Sequence, residues 1–324
     1  MRTISFAEAT LEAMAEEMAR DERVFLMGED IARQGGIFGQ FKGLPQQFGY
    51  DRVKDTPISE TAIIGAGVGA ALAGMRPVVD MHFVDFITVA MDEVVNQMAK
   101  IRYMFGGQCT VPIVLRAPDG IIRSAAAQHS QSLEAWFLHV PGLKVVIPSN
   151  PSDAKGLLKS AIRCDDPVLY FEHKSLFPIK GAVPDNDYLV PIGKASVARS
   201  GKDVTIISYS LMMHRALEAA EKLTALNIDA EVVDLRTISP LDKETIFTSV
   251  AKTKRLVIVH EAVKIGGVGA EIAALVAEEM IDYLDAPIKR LGAPFVPIPF
   301  SPALERLVKI SADDVVRTVR EICQ

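Results

Sequence analysis

The stretch DTPISETAIIGAGVGAALAG, residues 55–74, decides how the chain folds. Pro57 cannot lie inside a helix and favours an extended residue before it, so Ser59 can cap a helix that begins near Glu60. No charged or polar side chain interrupts residues 62–74. A helix that is apolar on every side is expected to be buried, and its small residues allow another backbone to approach closely.

Glu60 therefore stands at the head of a helix that is expected to be buried. Because burying a lone carboxylate is costly, such a residue is expected to share a proton or a hydrogen bond with a partner. A second interpretation stays open at this point. Glu60 can instead be a solvated residue that only stabilises the positive end of the helix.

Composition limits the class of protein. The chain has 324 residues, of which 49% are hydrophobic, and a formal net charge of −6, so we expect two domains and no broad basic surface for nucleic acid. Its three cysteines are scattered, and acidic residues appear close to the N-terminus. No uncharged apolar run is long enough to span a bilayer. These features predict a cytoplasmic protein without a membrane partner.

Strands and helices alternate along most of the chain, which predicts an α/β protein with two doubly wound parallel-sheet domains. Pro, Gly, Asp and Asn residues concentrate in residues 177–193, a composition typical of a linker. The first domain is therefore expected to span residues 1–176 and the second residues 194–324. A single helix is predicted from Ile87 to Tyr103.

Two histidines follow predicted strands, at the edge where open parallel sheets bind ligands. His129 lies in a polar loop and could transfer protons near neutral pH, or it could be a surface residue. His82 follows a strand that ends at Met81, where a packing role is the favoured interpretation. Phe86 belongs to the core or stacks on a flat ligand.

Several common sites are excluded by spacing. The glycines of residues 65–74 do not follow GxGxxG, and neither they nor the glycines of residues 266–269 form a phosphate-binding loop. No order typical of a Ser-His-Asp triad and no metal-ligand spacing is evident. The GDG motif and downstream Asn that hold magnesium and diphosphate in thiamine enzymes are also missing.

The residues nevertheless resemble a known family, the β subunits of the E1 component of thiamine diphosphate-dependent 2-oxo acid dehydrogenase complexes. This family includes pyruvate, branched-chain and acetoin dehydrogenases. The resemblance extends over nearly the whole chain. The matching segments are GED at 28–30, DTPISE at 55–60, YMFGGQ at 103–108, QHSQSLEA at 128–135, PGLKVV at 141–146, DAKGLLK at 153–159 and PIPFSP at 297–302.

The resemblance implies a role for each matching site residue. Glu60 resembles the carboxylate that bonds N1′ of the cofactor's aminopyrimidine, which explains an acid at the head of an apolar helix. Phe86 resembles the ring that packs on the aminopyrimidine, and His82 lines the same pocket. His129 resembles the histidine beside the substrate. Glu29 resembles an acid on the water-filled path that links two active sites.

A potassium site is also implied by the resemblance. Its ligands would be main-chain carbonyls, which a change of side chain leaves in place. Cys164 stands where the family usually has Asp, and, away from this site in the C-terminal loop, Phe295 replaces another usual Asp. The implied carbonyls belong to Ile113, Ala161, Ile162, Cys164 and Asp166.

The missing diphosphate motif has an explanation in this family, because the α subunit holds the diphosphate and Mg²⁺. The resemblance thus implies an α2β2 heterotetramer that transfers an acyl group to the lipoyl group of an E2 acyltransferase core. The second domain resembles the transketolase C-terminal domain. Pyruvate is the favoured substrate, and acetoin or a branched-chain 2-oxo acid is the alternative. A non-catalytic assembly subunit is the competing class.

Overall fold

The computed structural model describes residues 1–323, which form two compact units. The first unit comprises residues 1–119 and 136–192. The second comprises residues 120–135 together with the chain from residue 193 onward. No helix of the described residues is long and apolar enough to cross a membrane.

The first unit is built on a parallel sheet, as predicted. Six of its strands lie in the order β6-β7-β5-β4-β2-β3, and each pair of neighbours is parallel. The two remaining strands, β1 and β8, form an antiparallel pair that the sequence pattern did not indicate. The strands are β1 (Arg2–Ser5), β2 (Val24–Glu29), β3 (Val53–Thr56), β4 (Arg76–Asp80), β5 (Val114–Asp119), β6 (Lys144–Val146), β7 (Val168–His173) and β8 (Lys180–Val183).

Helices of the first unit pack on this sheet around a core of aliphatic residues. The helix predicted from Ile87 to Tyr103 is wrong in detail, because a 3₁₀ helix (Val84–Ala90) and a π-helix (Glu93–Met98) precede the short α4. Within the π-helix, Val94 and Met98 are both buried. The α-helices are α1 (Phe6–Arg20), α2 (Leu44–Phe48), α3 (Glu60–Leu72), α4 (Ile101–Met104), α5 (Glu134–Leu138, which runs from the second unit into the first) and α6 (Pro151–Arg163).

The small-residue helix α3 is buried on one face only. Gly67 packs so closely on the sheet that a Cβ there would lie 2.7 Å from Val79 and 2.8 Å from Ile113. On the opposite face Ala62, Ala66 and other residues are exposed. The expectation that α3 is buried on every side is therefore wrong for the single chain, because only one face has a sheet to pack against.

The second unit has a five-stranded sheet in the order β14-β13-β10-β11-β9. Its strands are parallel except β9 at the edge, which pairs antiparallel with β11. The α/β class with two sheets is thus confirmed. The strands of this sheet are β9 (Ser196–Arg199), β10 (Val204–Ser208), β11 (Ala230–Asp234), β13 (Leu256–Val263) and β14 (Lys289–Ala293), and the short strand β12 (Thr237–Ser239) lies outside it. The helices are α7 (Met212–Thr224), α8 (Lys243–Thr253), α9 (Val268–Met280), α10 (Pro302–Val308) and α11 (Ala312–Cys323).

Candidate functional site

Glu60 is the first residue of α3 and is half-buried. Ser59 occupies the capping position, but its hydroxyl donates to the carbonyl of Pro57 at 3.2 Å and makes no hydrogen bond to the helix. The expected side-chain cap is therefore wrong, because the extended segment before the helix supplies a nearer acceptor. This hydroxyl accepts no hydrogen bond from the backbone amides at the start of α3.

Parallel pairing of β2 with β4 brings two further site residues together. Gly28 is in register with Asp80, so Glu29 and His82 both emerge at the carboxyl edge of the sheet. Oε2 of Glu29 lies 3.1 Å from Nδ1 of His82, and only 10% of the Glu29 side chain is exposed. His82 therefore does more than pack, because its ring also pairs with a carboxylate.

The carboxylates of Glu29 and Glu60 interact electrostatically. Burial raises the pKa of Glu29, the neighbouring His82 ring opposes this increase, and the negative charge of Glu60 adds to it. The side chains of Glu29, His82 and Glu60 therefore belong to one electrostatic cluster in the first unit. A group whose proton is held more tightly than usual in a cleft is a candidate for functional proton transfer.

An aromatic group borders the cluster. Phe83 makes edge contacts with His82 at 6.5 Å and with Phe86 at 6.2 Å between ring centroids. The ammonium of Lys174 lies 5.0 Å from the centre of the Phe83 ring. Phe86 itself is half-buried, so one part of its ring is accessible beside the polar cluster.

The buried Nε2 of His82 has no hydrogen-bond partner within the described part of the chain. A buried polar nitrogen without a partner is costly, and it indicates a position where a ligand atom completes the hydrogen bond. Carboxylates, this ring nitrogen and the accessible Phe86 suit a flat heteroaromatic ring with polar atoms on its edge.

His129 lies in the segment 120–135, which belongs to the second unit. Its side chain is half-buried. The structure therefore brings together Glu29, His82, Glu60 and Phe86 in one unit, while His129 is carried by the other.

The carbonyls proposed for potassium lie in the first unit, and several already accept hydrogen bonds. The guanidinium of Arg76 donates to the carbonyls of Ile162 at 2.9 Å and Cys164 at 3.1 Å. The amide of Val168 donates to the Ile113 carbonyl at 3.0 Å. Among the described residues no group of three His, Cys, Asp or Glu side chains could hold a metal.

A buried ionic network beneath the site was missed by sequence reasoning. Arg116 on β5 is fully buried, with Nη1 3.2 Å from Oδ1 of Asp80 and Nε 2.5 Å from Oε2 of Glu172. Its guanidinium also lies 4.9 Å from the centre of the Phe41 ring. The signal that could have revealed the network is the charged Arg116 directly after the apolar run of residues 111–115.

The network holds two carboxyl groups away from water, which favours their neutral forms. Burial raises the pKa of Asp80 despite the opposing charge of Arg116. Burial likewise raises the pKa of Glu172 to about 7, again against the opposing effect of Arg116. Burial opposes the charge of Arg116, but the two carboxylates together raise its pKa. The guanidinium therefore stays charged, and each of the two acids keeps its proton to a higher pH than it ordinarily would.

Each of the two units matches the model of a known domain family. Residues 2–180 match the model of the transketolase pyrimidine-binding domain, and residues 193–315 match that of the transketolase C-terminal domain. Over 99% of this chain and 98% of the other, the fold is similar to a solved split-gene transketolase in an inactive β4 tetramer, with a TM-score of 0.82 at 24% identity. That likeness concerns the fold alone.

Three curated relatives are similar along their whole length. The 2-oxoisovalerate dehydrogenase subunit beta of Bacillus subtilis is 49% identical and covered completely, as is this chain. The acetoin:2,6-dichlorophenolindophenol oxidoreductase subunit beta of the same organism is 48% identical, over 99% of this chain and 97% of the relative. The pyruvate dehydrogenase E1 component subunit beta of Rickettsia felis is 48% identical, over 99% and 98%.

Proposed function

The chain belongs to the transketolase-like family of E1 β subunits of 2-oxo acid dehydrogenases, and from this premise we propose that it forms the catalytic β subunit of such an E1 enzyme. The proposed reaction is thiamine diphosphate-dependent decarboxylation of a 2-oxo acid, followed by transfer of the acyl group to lipoyl-E2. The observation that carries the proposal is the cluster of Glu29, His82 and Glu60 at the carboxyl edge of the first sheet.

The residues of this cluster fit the pyrimidine ring of the cofactor. The buried Nε2 of His82 needs a polar partner, and the accessible Phe86 offers a face for an aromatic ring. Glu60 is proposed to hold a proton at N1′ of that ring. When bound, thiamine diphosphate supplies the electron sink that makes carbon–carbon bond cleavage possible.

Glu29 is proposed to position His82 in the same cluster as Glu60. The Glu29 carboxylate fixes the orientation of the His82 ring through the 3.1 Å contact at Nδ1. His129 is proposed to act on the substrate side, where an imidazole can orient or protonate reacting groups.

The α subunit is the proposed source of the diphosphate and Mg²⁺ sites, since this chain lacks the motif that holds them. The exposed apolar face of α3 supports an assembly surface for it. Ile58, 81% exposed, and Val89, 58% exposed, extend the apolar surface near the start of the helix. We propose an α2β2 heterotetramer that works with an E2 core. The three cysteines are free, which supports the proposed cytoplasmic location.

We also propose that the potassium site forms, which requires a change in the hydrogen bonds that its carbonyls already accept. The guanidinium of Arg76 donates hydrogen bonds to two of these carbonyls. A bound potassium ion would therefore have to displace the guanidinium or share the carbonyl oxygens with it. Activity and thermal stability measured in potassium and in sodium test this condition.

The relatives divide among three substrates at nearly equal identity. Pyruvate is the proposed substrate; branched-chain 2-oxo acids and acetoin are the alternatives, each supported by a relative of similar identity. Steady-state kinetics of the chain reconstituted with its α subunit test the proposal with all three. The proposal expects the highest kcat/KM with pyruvate. Higher values with acetoin or a branched-chain acid would overturn the substrate, and no turnover of any of them would overturn the function.

A further inference from the structure

The loop that carries His129, residues 120–135, has an unusual backbone. Ser124 has a φ of +57° and Ala126 a φ of +61°, which places two residues with side chains in the left-handed region. Such conformations are uncommon for these residues and persist only when their surroundings hold them.

Two carboxylates from distant parts of the second unit bind the loop backbone. Oε1 of Glu261, on β13, accepts a hydrogen bond from the amide of Ile121 at 2.6 Å. Oε2 of Glu305, on α10, accepts one from the amide of Ser124 at 2.8 Å. The partners are 140 and 181 positions apart in the sequence. Hydrogen bonds to an ionised acceptor are about twice as strong as neutral ones.

The Glu305 side chain is itself fixed. Only 4% of it is exposed, and its second oxygen pairs with the ammonium of Lys309 one helical turn later on the chain. The loop is also closed at its base, where the amide of Gly120 donates to the carbonyl of Gln131 at 3.0 Å. Glu305 thus contacts the loop at the strained residue Ser124 with an oxygen that has little freedom to move.

The end of the loop is held by a third carboxyl group. Glu134 is buried, and its Oε1 accepts a hydrogen bond from the hydroxyl of Tyr209 at 2.7 Å. His129 therefore lies between contacts at residues 121 and 124 on one side and residue 134 on the other. All of these contacts are formed inside the second unit.

We propose that Glu305 and Glu261 are positioning residues that hold the His129 loop in its strained conformation. This proposal rests on the proposed function, since the loop matters to the reaction only through His129. Without Glu305, the amide of Ser124 loses its acceptor and the strain at Ser124 and Ala126 favours other loop conformations.

Trypsin cleavage after Arg123 can report the conformation of the loop. Arg123 is exposed, and the peptide bond that trypsin cleaves after it contains the Ser124 N–H group that Glu305 holds. Trypsin cleavage at Arg123 in the purified full-length chain should accelerate about tenfold or more in Glu305→Ala. Glu305→Gln keeps an oxygen that can accept from Ser124, so most of the protection should return. Glu321→Ala is the control, because it removes an exposed carboxylate 3.0 Å from Lys289.

Circular dichroism melting confirms that each variant is folded before digestion. Equal cleavage rates in wild type, Glu305→Ala and Glu321→Ala would overturn the proposal. So would equal acceleration in Glu305→Ala and Glu305→Gln, because the hydrogen-bond acceptor would then be irrelevant.

Kinetics of the reconstituted enzyme separate this proposal from the function it rests on. Glu305→Ala should lower kcat about tenfold, with KM changed less than about twofold, and Glu305→Gln should recover most of the loss. An unchanged kcat in Glu305→Ala, with His129→Ala inactive, would overturn the positioning role alone. Full activity in His129→Ala would instead overturn the proposed role of His129, while the digestion result would still decide whether Glu305 holds the loop.

Discussion

Replacing Glu172 by Gln should stabilise the first unit at alkaline pH and leave it nearly unchanged in acid. Glu172 is fully buried, and burial raises its pKa from an ordinary value of 4.5 to about 7. The folded state therefore binds this proton more tightly than the unfolded state. The stabilisation from the proton is complete below pH 4.5 and is lost as the pH rises through about 7.

The size of the effect follows from the two pKa values. The difference between 4.5 and about 7 corresponds to about 3 kcal/mol in the free energy of unfolding. Gln resembles the neutral acid in shape and cannot ionise. The variant should match wild type near pH 4.5 and should be about 3 kcal/mol more stable than wild type at pH 8.5.

Urea unfolding followed by tryptophan fluorescence measures this difference locally. Trp136 is the only tryptophan of the chain, and it belongs to the same unit as Glu172. Glu22→Gln is the control, since Glu22 is an exposed acid of that unit. A difference between Glu172→Gln and wild type that stays the same from pH 4.5 to pH 8.5 would show that the folded protein does not hold the Glu172 proton more tightly than the unfolded chain does.

Two further substitutions, and a third that serves as a control, test the packing around the site. Arg116→Met leaves Asp80 and Glu172 buried without their cation and should cost about 3–5 kcal/mol of unfolding free energy, measured by the same urea titration; a loss below about 1 kcal/mol would contradict the network. Gly67→Ala places a Cβ 2.7 Å from Val79 and should cost about 1–3 kcal/mol, whereas Gly69→Ala, which meets open space, should be neutral or stabilising by up to about 1 kcal/mol in the same assay. Equal effects of the two alanines would show that α3 does not pack on the sheet as described.

Local sequence chemistry predicted part of the site. Pro57 and the small residues after Glu60 were sufficient to place a helix with Glu60 as its first residue. The alternation of strands and helices was sufficient for the α/β class. Both depend on residues close in the chain, whose effects on the backbone are well known.

Contacts between distant segments were not predictable in this way. The pairing of Glu29 with His82 depends on the register of β2 against β4, and the three-residue network of Arg116 depends on three strands at once. The held loop depends on Glu305, 181 positions from Ser124. No local pattern encodes such distances, and only the folded sheets bring these groups together.

The central claim is that Glu60 takes part in the chemistry and is more than a helix-terminal acid. Its most direct test is kcat for 2-oxo acid decarboxylation by Glu60→Gln assembled with the α subunit, beside the exposed control Glu244→Gln. We expect a fall in kcat of about a hundredfold or more for Glu60→Gln, with unchanged assembly by gel filtration, and no change for the control. Full activity in an assembled Glu60→Gln enzyme would show that Glu60 takes no part in the chemistry and would favour a subunit that serves assembly alone.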